Sequence, residues 1–80
     1  MDTFTIYGKE NCQYCVRAKR LLEFKNLEYT ELKVPDQVDV DTLIDRVREA
    51  GHTGEIKSVP QIFCGSEYVG GYNELRAFLT

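Results

Sequence analysis

The sequence predicts an α/β fold ordered β-α-β-α-β-β-α, on three observations. Apolar residues change period along the chain, from strand-like alternation to a three-to-four-residue spacing and back. A strand, a helix and a second strand fit within roughly 30 residues, the length of a right-handed βαβ unit with parallel strands. Near the other end, two β-rich runs are separated by Gly65-Ser66 alone, a hairpin signal.

Each element has its own justification. Thr3-Phe4-Thr5-Ile6-Tyr7 mixes β-branched, aromatic and apolar residues, which favours a first strand over residues 3–7. Gly8 and Asn11 are turn residues. Beyond Cys12, the apolar positions Cys15, Ala18, Leu21 and Leu22 recur at helical spacing, giving a first helix over 12–25. Lys25-Asn26 suits its end, with Asn26 as a left-handed cap. Leu27 to Val34 reads as a second strand, whose charges at Glu28, Glu31 and Lys33 suit a sheet edge. Pro35-Asp36-Gln37 breaks the pattern. Asp39 or Asp41 can cap a second helix with Leu43, Ile44, Val47 and Ala50 on its apolar face, and Gly51 stops it. His52-Thr53-Gly54-Glu55 is loop. Ser58-Val59-Pro60 leads into a third strand, Gln61 to Cys64. The Gly65-Ser66 turn fits type II′, and Glu67-Tyr68-Val69 returns. Gly70-Gly71 is a second break, after which Asn73 can cap a last helix carrying Leu75, Phe78 and Leu79. No internal repeat, linker or low-complexity segment interrupts the chain.

Composition narrows the class. Eighty residues make one small domain, residues 1–80, with a modest core. An apolar fraction of 42% suits a globular fold, and no apolar run approaches the roughly 18 residues of a membrane span. Met1-Asp2-Thr3-Phe4-Thr5 has neither the basic region nor the apolar core of a signal peptide, so the expected location is the cytoplasm. Three cysteines are too few for a disulfide scaffold. A net charge of −3 argues against a nucleic-acid partner. Arg17, Lys19 and Arg20 form a local basic cluster, either a solvated helix face or an attractor for an anionic substrate.

The chemistry-bearing stretch is Tyr7-Gly8-Lys9-Glu10-Asn11-Cys12-Gln13-Tyr14-Cys15. It places Cys12 at or just before the first helical turn and Cys15 about one turn inside. Unsatisfied N–H groups and the helix dipole favour an anion at that end. The thiolate of Cys12 is that anion, and its pKa is expected to fall below the free value of about 8.5. Lys9 and Arg17 add positive charge. Cys12 is therefore the expected nucleophile and Cys15 the resolving thiol. A zinc site would need two further ligands, and Cys64 and His52 lack the paired spacing, so no metal is expected. Cys64 is expected to be a small buried hydrophobe in a central strand. His52 is expected to contact the last carbonyls of the second helix. Tyr7 and Tyr72 read equally as site-lining or core-edge aromatics.

A C-x-x-C motif at the first βα junction of this order points to a thioredoxin-like redox domain. More specifically, the chain resembles a glutaredoxin over essentially its whole length. The resemblance rests on Cys12-Gln13-Tyr14-Cys15, Ser58-Val59-Pro60 and Gly70-Gly71-Tyr72-Asn73-Glu74-Leu75, in that order. It implies a four-stranded mixed sheet with three flanking helices and a cis peptide bond between Val59 and Pro60. It implies a glutathione-dependent disulfide oxidoreductase, with glutathione as reductant. Carried over position by position, Lys9 would bind the glycine carboxylate of glutathione. Tyr14 would line the site. Val59, held between Ser58 and Pro60, would pair its backbone with the cysteinyl unit. Gly71 and Tyr72 would offer N–H groups to the γ-glutamyl carboxylate, and Asn73 would meet the γ-glutamyl amino group. The partners implied are glutathione and disulfide-containing or glutathionylated proteins, ribonucleotide reductase among them, with the chain a monomer.

The chain departs from the family pattern twice. Gln13 stands where proline is common, which restores a backbone N–H beside the nucleophile. Asn73 stands for a usual Asp and lacks the charge to pair with an ammonium group. Two other readings compete: a glutaredoxin-like redoxin reduced by thioredoxin reductase, and a [2Fe–2S] carrier ligated by Cys12 of two chains and two glutathione thiolates. The paired glycines and Tyr14 argue against the first. The absence of tryptophan argues against thioredoxin itself.

Overall fold

A computed structural model describes residues 3–54 and 58–80. Met1, Asp2 and Glu55, the last residue of the expected loop, lie outside the described residues. The elements are β1 (Phe4–Gly8), α1 (Gln13–Phe24), β2 (Tyr29–Lys33), α2 (Val40–Glu49), β3 (Gln61–Cys64), β4 (Glu67–Gly70) and α3 (Tyr72–Phe78). The four strands form one mixed sheet in the order β2-β1-β3-β4. β1 and β2 are parallel, with Ile6 opposite Glu31 and Gly8 opposite Lys33. β1 with β3, and β3 with β4, are antiparallel.

Strand alternation divides the core between the two faces. Phe4, Ile6 and Ile62 pack with Ala18 and Leu22 of α1 and Leu75 of α3. Tyr7 and Phe63 point to the other face and pack with Val34 and with Leu43 and Val47 of α2. Tyr7 is thus a core residue, and its hydroxyl accepts a hydrogen bond from Arg46. β2 occupies the edge that its charges suggested.

Helix ends follow local chemistry. α1 closes with Asn26 at φ 58°, its N–H bonded to the Glu23 carbonyl at 3.0 Å and the Leu27 N–H to the Leu22 carbonyl at 2.9 Å. That pair is a Schellman motif. Gly51, at φ 96°, closes α2 in the same way. Asp39, rather than Asp41, caps α2, accepting the Thr42 N–H at 2.7 Å. This hydrogen bond holds the Asp39 carboxyl below its ordinary pKa. Gly65 has φ 61°, the sign a type II′ turn needs at its first position.

Three expectations need correction. Asn73 does not cap α3: Gly71 does, and Asn73 lies exposed in the first turn. The cap works in reverse, because Glu74 reaches back to accept the Gly71 N–H at 2.8 Å, so the cap residue needs no side chain. Cys64 is half-buried rather than enclosed, because β3 is central but Cys64 is its last residue. The backbone of His52 does meet a helix carbonyl, that of Val47, but its ring lies against Tyr68 at 4.9 Å between centroids.

Candidate active site

β1 delivers the chain to the base of α1, and the turn through Asn11, at φ 57°, sets Cys12 at the N-cap. The Cys12 sulfur does the work that Ser or Asp does at other helix starts. It accepts the Cys15 N–H at 3.1 Å. No acidic residue sits in the first turn to oppose a negative sulfur there. Cys15 is 1% exposed and Cys12 is part-exposed. The two are joined in a disulfide with Cα atoms 5.2 Å apart. The more accessible sulfur can be attacked or can attack; the enclosed one can meet only its neighbour.

The segment Ser58-Val59-Pro60 lies directly beside this pair. The Val59–Pro60 bond is cis, as the resemblance implied, and the Val59 carbonyl oxygen is 3.8 Å from the Cys12 sulfur. A second cis bond, Val34–Pro35, was not anticipated. On one side of Cys12, a cleft of about 340 Å³ is lined by Tyr14, Ser58, Val59, Pro60, Gly71, Tyr72 and Asn73, among others. The Tyr14 and Tyr72 rings meet across it, 5.8 Å apart, with the Arg17 guanidinium 5.1 Å from the Tyr14 ring centre. Seven of the eight positions carried over from the resemblance therefore converge on one cleft. Lys9 does not line it. It lies beyond Val59 beside a neighbouring hollow formed with Val34, Pro35, Val40 and Leu43.

Two residues that the sequence did not mark also shape the site. Gln61 is a buried polar side chain in an apolar strand. Its amide donates to the Ser58 carbonyl at 2.7 Å, and its oxygen accepts from the Tyr68 hydroxyl. This anchors the segment on which Val59 is displayed. Burial raises the Tyr68 pKa, and the Glu74 carboxylate adds to the shift, so the hydroxyl keeps its proton as donor. Glu31 is the other. Its side chain is 19% exposed, turned under the cysteines rather than out to water, with the Lys19 ammonium 3.2 Å from one oxygen. The signal available in the sequence was weak in both cases: a lone polar residue within an apolar strand, and one charge among several on an edge strand.

The glutaredoxin family model matches residues 4–69, which span both cysteines, the cis-proline segment and most of the hairpin. The chain belongs to the glutaredoxin family. Glutaredoxin 3 of Escherichia coli (strain K12) is 36% identical over 77 residues, covering 96% of this chain and 86% of the relative. A glutaredoxin of Pseudomonas aeruginosa is 35% identical over 77 residues, covering 96% and 84%. Among solved structures, glutaredoxin 1 from Francisella tularensis, complexed with cacodylate, superposes with a TM-score of 0.79 at 32% identity, covering 99% of this chain and 93% of that one. The buckwheat glutaredoxin–glutathione complex superposes with a TM-score of 0.73 at 22% identity, covering 95% and 66%, and shows the shared fold. Family membership and the paired cysteines make the chain a thiol–disulfide oxidoreductase of thioredoxin-like fold. Among the described residues, no helix is long and apolar enough to cross a membrane, and no group of three or more metal-ligating side chains occurs.

Proposed function

We propose that the chain is a glutathione-dependent reductase of protein disulfides and of glutathione mixed disulfides. The observation that carries this is the Val59 backbone beside the Cys12 sulfur, in a cleft that ends at the start of α3. A tripeptide whose thiol sits on Cys12 can lay its backbone against Val59. Its γ-glutamyl carboxylate then falls at the N-terminus of α3, which favours negative charge. A carboxylate that takes the Gly71 N–H must displace the Glu74 oxygen now bonded to it. Asn73 is exposed in that first turn, in reach of the γ-glutamyl amino group. Lys9 lines the hollow on the far side of Val59, which supports its role as the partner of the glycine carboxylate at the other end of the tripeptide.

The chemistry is thiol–disulfide exchange in two branches. In the dithiol branch, the Cys12 thiolate attacks a protein disulfide and Cys15 resolves the mixed disulfide, leaving the oxidised pair. Two glutathione molecules then reduce that pair. In the monothiol branch, Cys12 takes the glutathionyl group from a modified protein, and a second glutathione releases it as glutathione disulfide. Ribonucleotide reductase is one disulfide substrate consistent with the resemblance, and no residue of the cleft selects it. Such a cycle needs a glutathione-reduced compartment, which supports a cytoplasmic location.

The test is reduction of a glutathione mixed disulfide coupled to glutathione reductase. Wild type should turn over, Cys12→Ser should lose activity, and Cys15→Ser should keep most of it while losing reduction of a protein disulfide. An inert wild type that is instead reduced by thioredoxin reductase would move the chain to the redoxin reading and remove the roles given to Lys9 and Asn73.

A further inference from the structure

On the other side of Cys12 lies a second cleft, of about 550 Å³, which both cysteines share with Lys9, Glu10, Lys19, Glu31 and Lys33. None of the glutathione contacts proposed above uses Glu31. Its oxygen Oε1 accepts from Lys19 at 3.2 Å. Its other oxygen, Oε2, is buried, lies 3.7 Å from the Lys33 ammonium and accepts no hydrogen bond, the only buried side-chain nitrogen or oxygen in that condition among the described residues. Leaving such an atom without a donor is costly, so it calls for an explanation.

The explanation lies in Gly8. Gly8 is buried and stands beside Lys33 in the β1–β2 register, two positions on from the Ile6–Glu31 pair. A Cβ built on Gly8 would lie 2.9 Å from the Cys15 sulfur and 3.6 Å from Glu31 Oε2. The missing side chain thus leaves the enclosed sulfur and this oxygen bordering one small gap. In the disulfide, Cys15 has no hydrogen to give. Reduction puts an S–H on the sulfur that borders the same gap as this oxygen.

We propose that Glu31 is the proton acceptor for Cys15 in the resolving step. The Cys15 thiol passes its proton to the Glu31 carboxylate. The Cys15 thiolate then attacks the Cys12 sulfur of the mixed disulfide. The Cys12–Cys15 bond forms, the bond from Cys12 to the substrate sulfur breaks, and the departing thiolate takes a proton from water. Glu31 returns its proton to solvent through the cleft. The charged groups around it are Lys19 from α1, Lys33 on its own strand at 3.7 Å, and Glu10 from the β1–α1 turn, which reaches Lys33 at 3.6 Å. Lys9 lines the same cleft, and Tyr29 further back on β2 lies within the field of the Glu31 charge. The inference rests on Cys15 as the resolving thiol; it does not depend on glutathione as the reductant.

The experiment isolates that step without glutathione. The fully reduced protein, in a Cys64→Ser background, is mixed with a chromogenic aromatic disulfide in a stopped-flow instrument. Attack by Cys12 releases one aromatic thiol, and resolution by Cys15 releases a second. Glu31→Gln should leave the first phase within about twofold and slow the second by roughly tenfold to a hundredfold near pH 7, at the lower end of general-base effects. The deficit should shrink as pH rises beyond the free-thiol value of about 8.5 and unaided ionisation of the enclosed thiol takes over. Lys19→Met, which removes the shorter of the two ion pairs of Glu31 but keeps the carboxylate, should retain the wild-type pH profile of the second phase. An unchanged second phase, a deficit equal at every pH, or Lys19→Met reproducing Glu31→Gln in full would each overturn the proposal. Release of two equivalents by Cys15→Ser would instead overturn the resolving role of Cys15 itself.

Discussion

The two flanks of Cys12 are built from different materials. On the flank facing α3, the cleft is made of the Val59 backbone, a cis proline, paired tyrosine rings and a helix start. On the flank facing β2, it is made of charged side chains, with Lys19 and Lys33 around Glu31. Backbone groups are placed by the whole fold and are hard to shift one at a time. Charged side chains on an edge strand are set residue by residue. The first flank suits recognition of a fixed peptide shape. The second suits adjustment of proton transfer and charge at the sulfurs.

Damage to the first flank should be larger and should involve folding. Gly70 has φ 123°, and a Cβ there would meet Glu74 carbons at 2.8 Å. Gly70→Ala should therefore cost roughly 2 to 4 kcal/mol in denaturant unfolding, from backbone strain plus overpacking. It should also raise the KM for a glutathione mixed disulfide, since the Glu74 cap and the start of α3 would move. Gln61→Leu comes next. It leaves the Ser58 carbonyl and the Tyr68 hydroxyl without their partner, a loss of about 1 to 3 kcal/mol. Its expected kinetic mark is a higher KM with little change in the rate of Cys12 alkylation by iodoacetamide.

On the charged flank, Lys33→Ala should cost about 1 kcal/mol: its pair with Glu10, which is 75% exposed, is weak, and its longer 3.7 Å contact with the less exposed Glu31 makes up most of the loss. Its mark should be in salt dependence: the second phase of the stopped-flow reaction should respond less to added salt than in wild type. The smallest effect lies away from both flanks. The Glu23 carboxylate accepts the Tyr29 hydroxyl at 2.5 Å and, with burial and the Glu31 charge, pushes its pKa up to about 12. A raised folded value means that the proton is held more tightly in the native state. The contribution is therefore complete below about pH 10 and is lost as pH rises towards 12. Tyr29→Phe should abolish that part of the alkaline stability loss and leave both clefts unaffected, as read by thermal melts from pH 9 to about 12 and by activity at neutral pH.

The legible parts of the molecule were those governed by neighbours in sequence. Asn26 and Gly51 announce left-handed helix ends, Asp39 and Asp41 between them announce a cap, and Cys12 announces itself by its spacing from Cys15. Asn73 has the side chain of a capping residue, whereas the cap comes from Glu74, three residues beyond Gly71. The cleft itself joins residues more than forty positions apart. No periodicity connects Cys12 to Val59, and that link was available through the family resemblance alone. Glu31 looked like one of several edge charges because nothing local shows that Lys19 of α1 lies over it. Gln61 was invisible for the opposite reason: a single amide in an apolar strand reads as noise until its two partners are seen.

One atom carries two duties. The Cys12 sulfur, the proposed nucleophile, is also the cap of α1, accepting the Cys15 N–H. A negatively charged sulfur is a stronger acceptor than a disulfide sulfur. The first turn of α1 is therefore mechanically tied to the electron count of the site: it should tighten when the pair is reduced and slacken when it is oxidised. Hydrogen exchange at the Cys15 amide becomes a clock hand for the cycle, slow in the thiolate form and faster in the disulfide, readable without any substrate present.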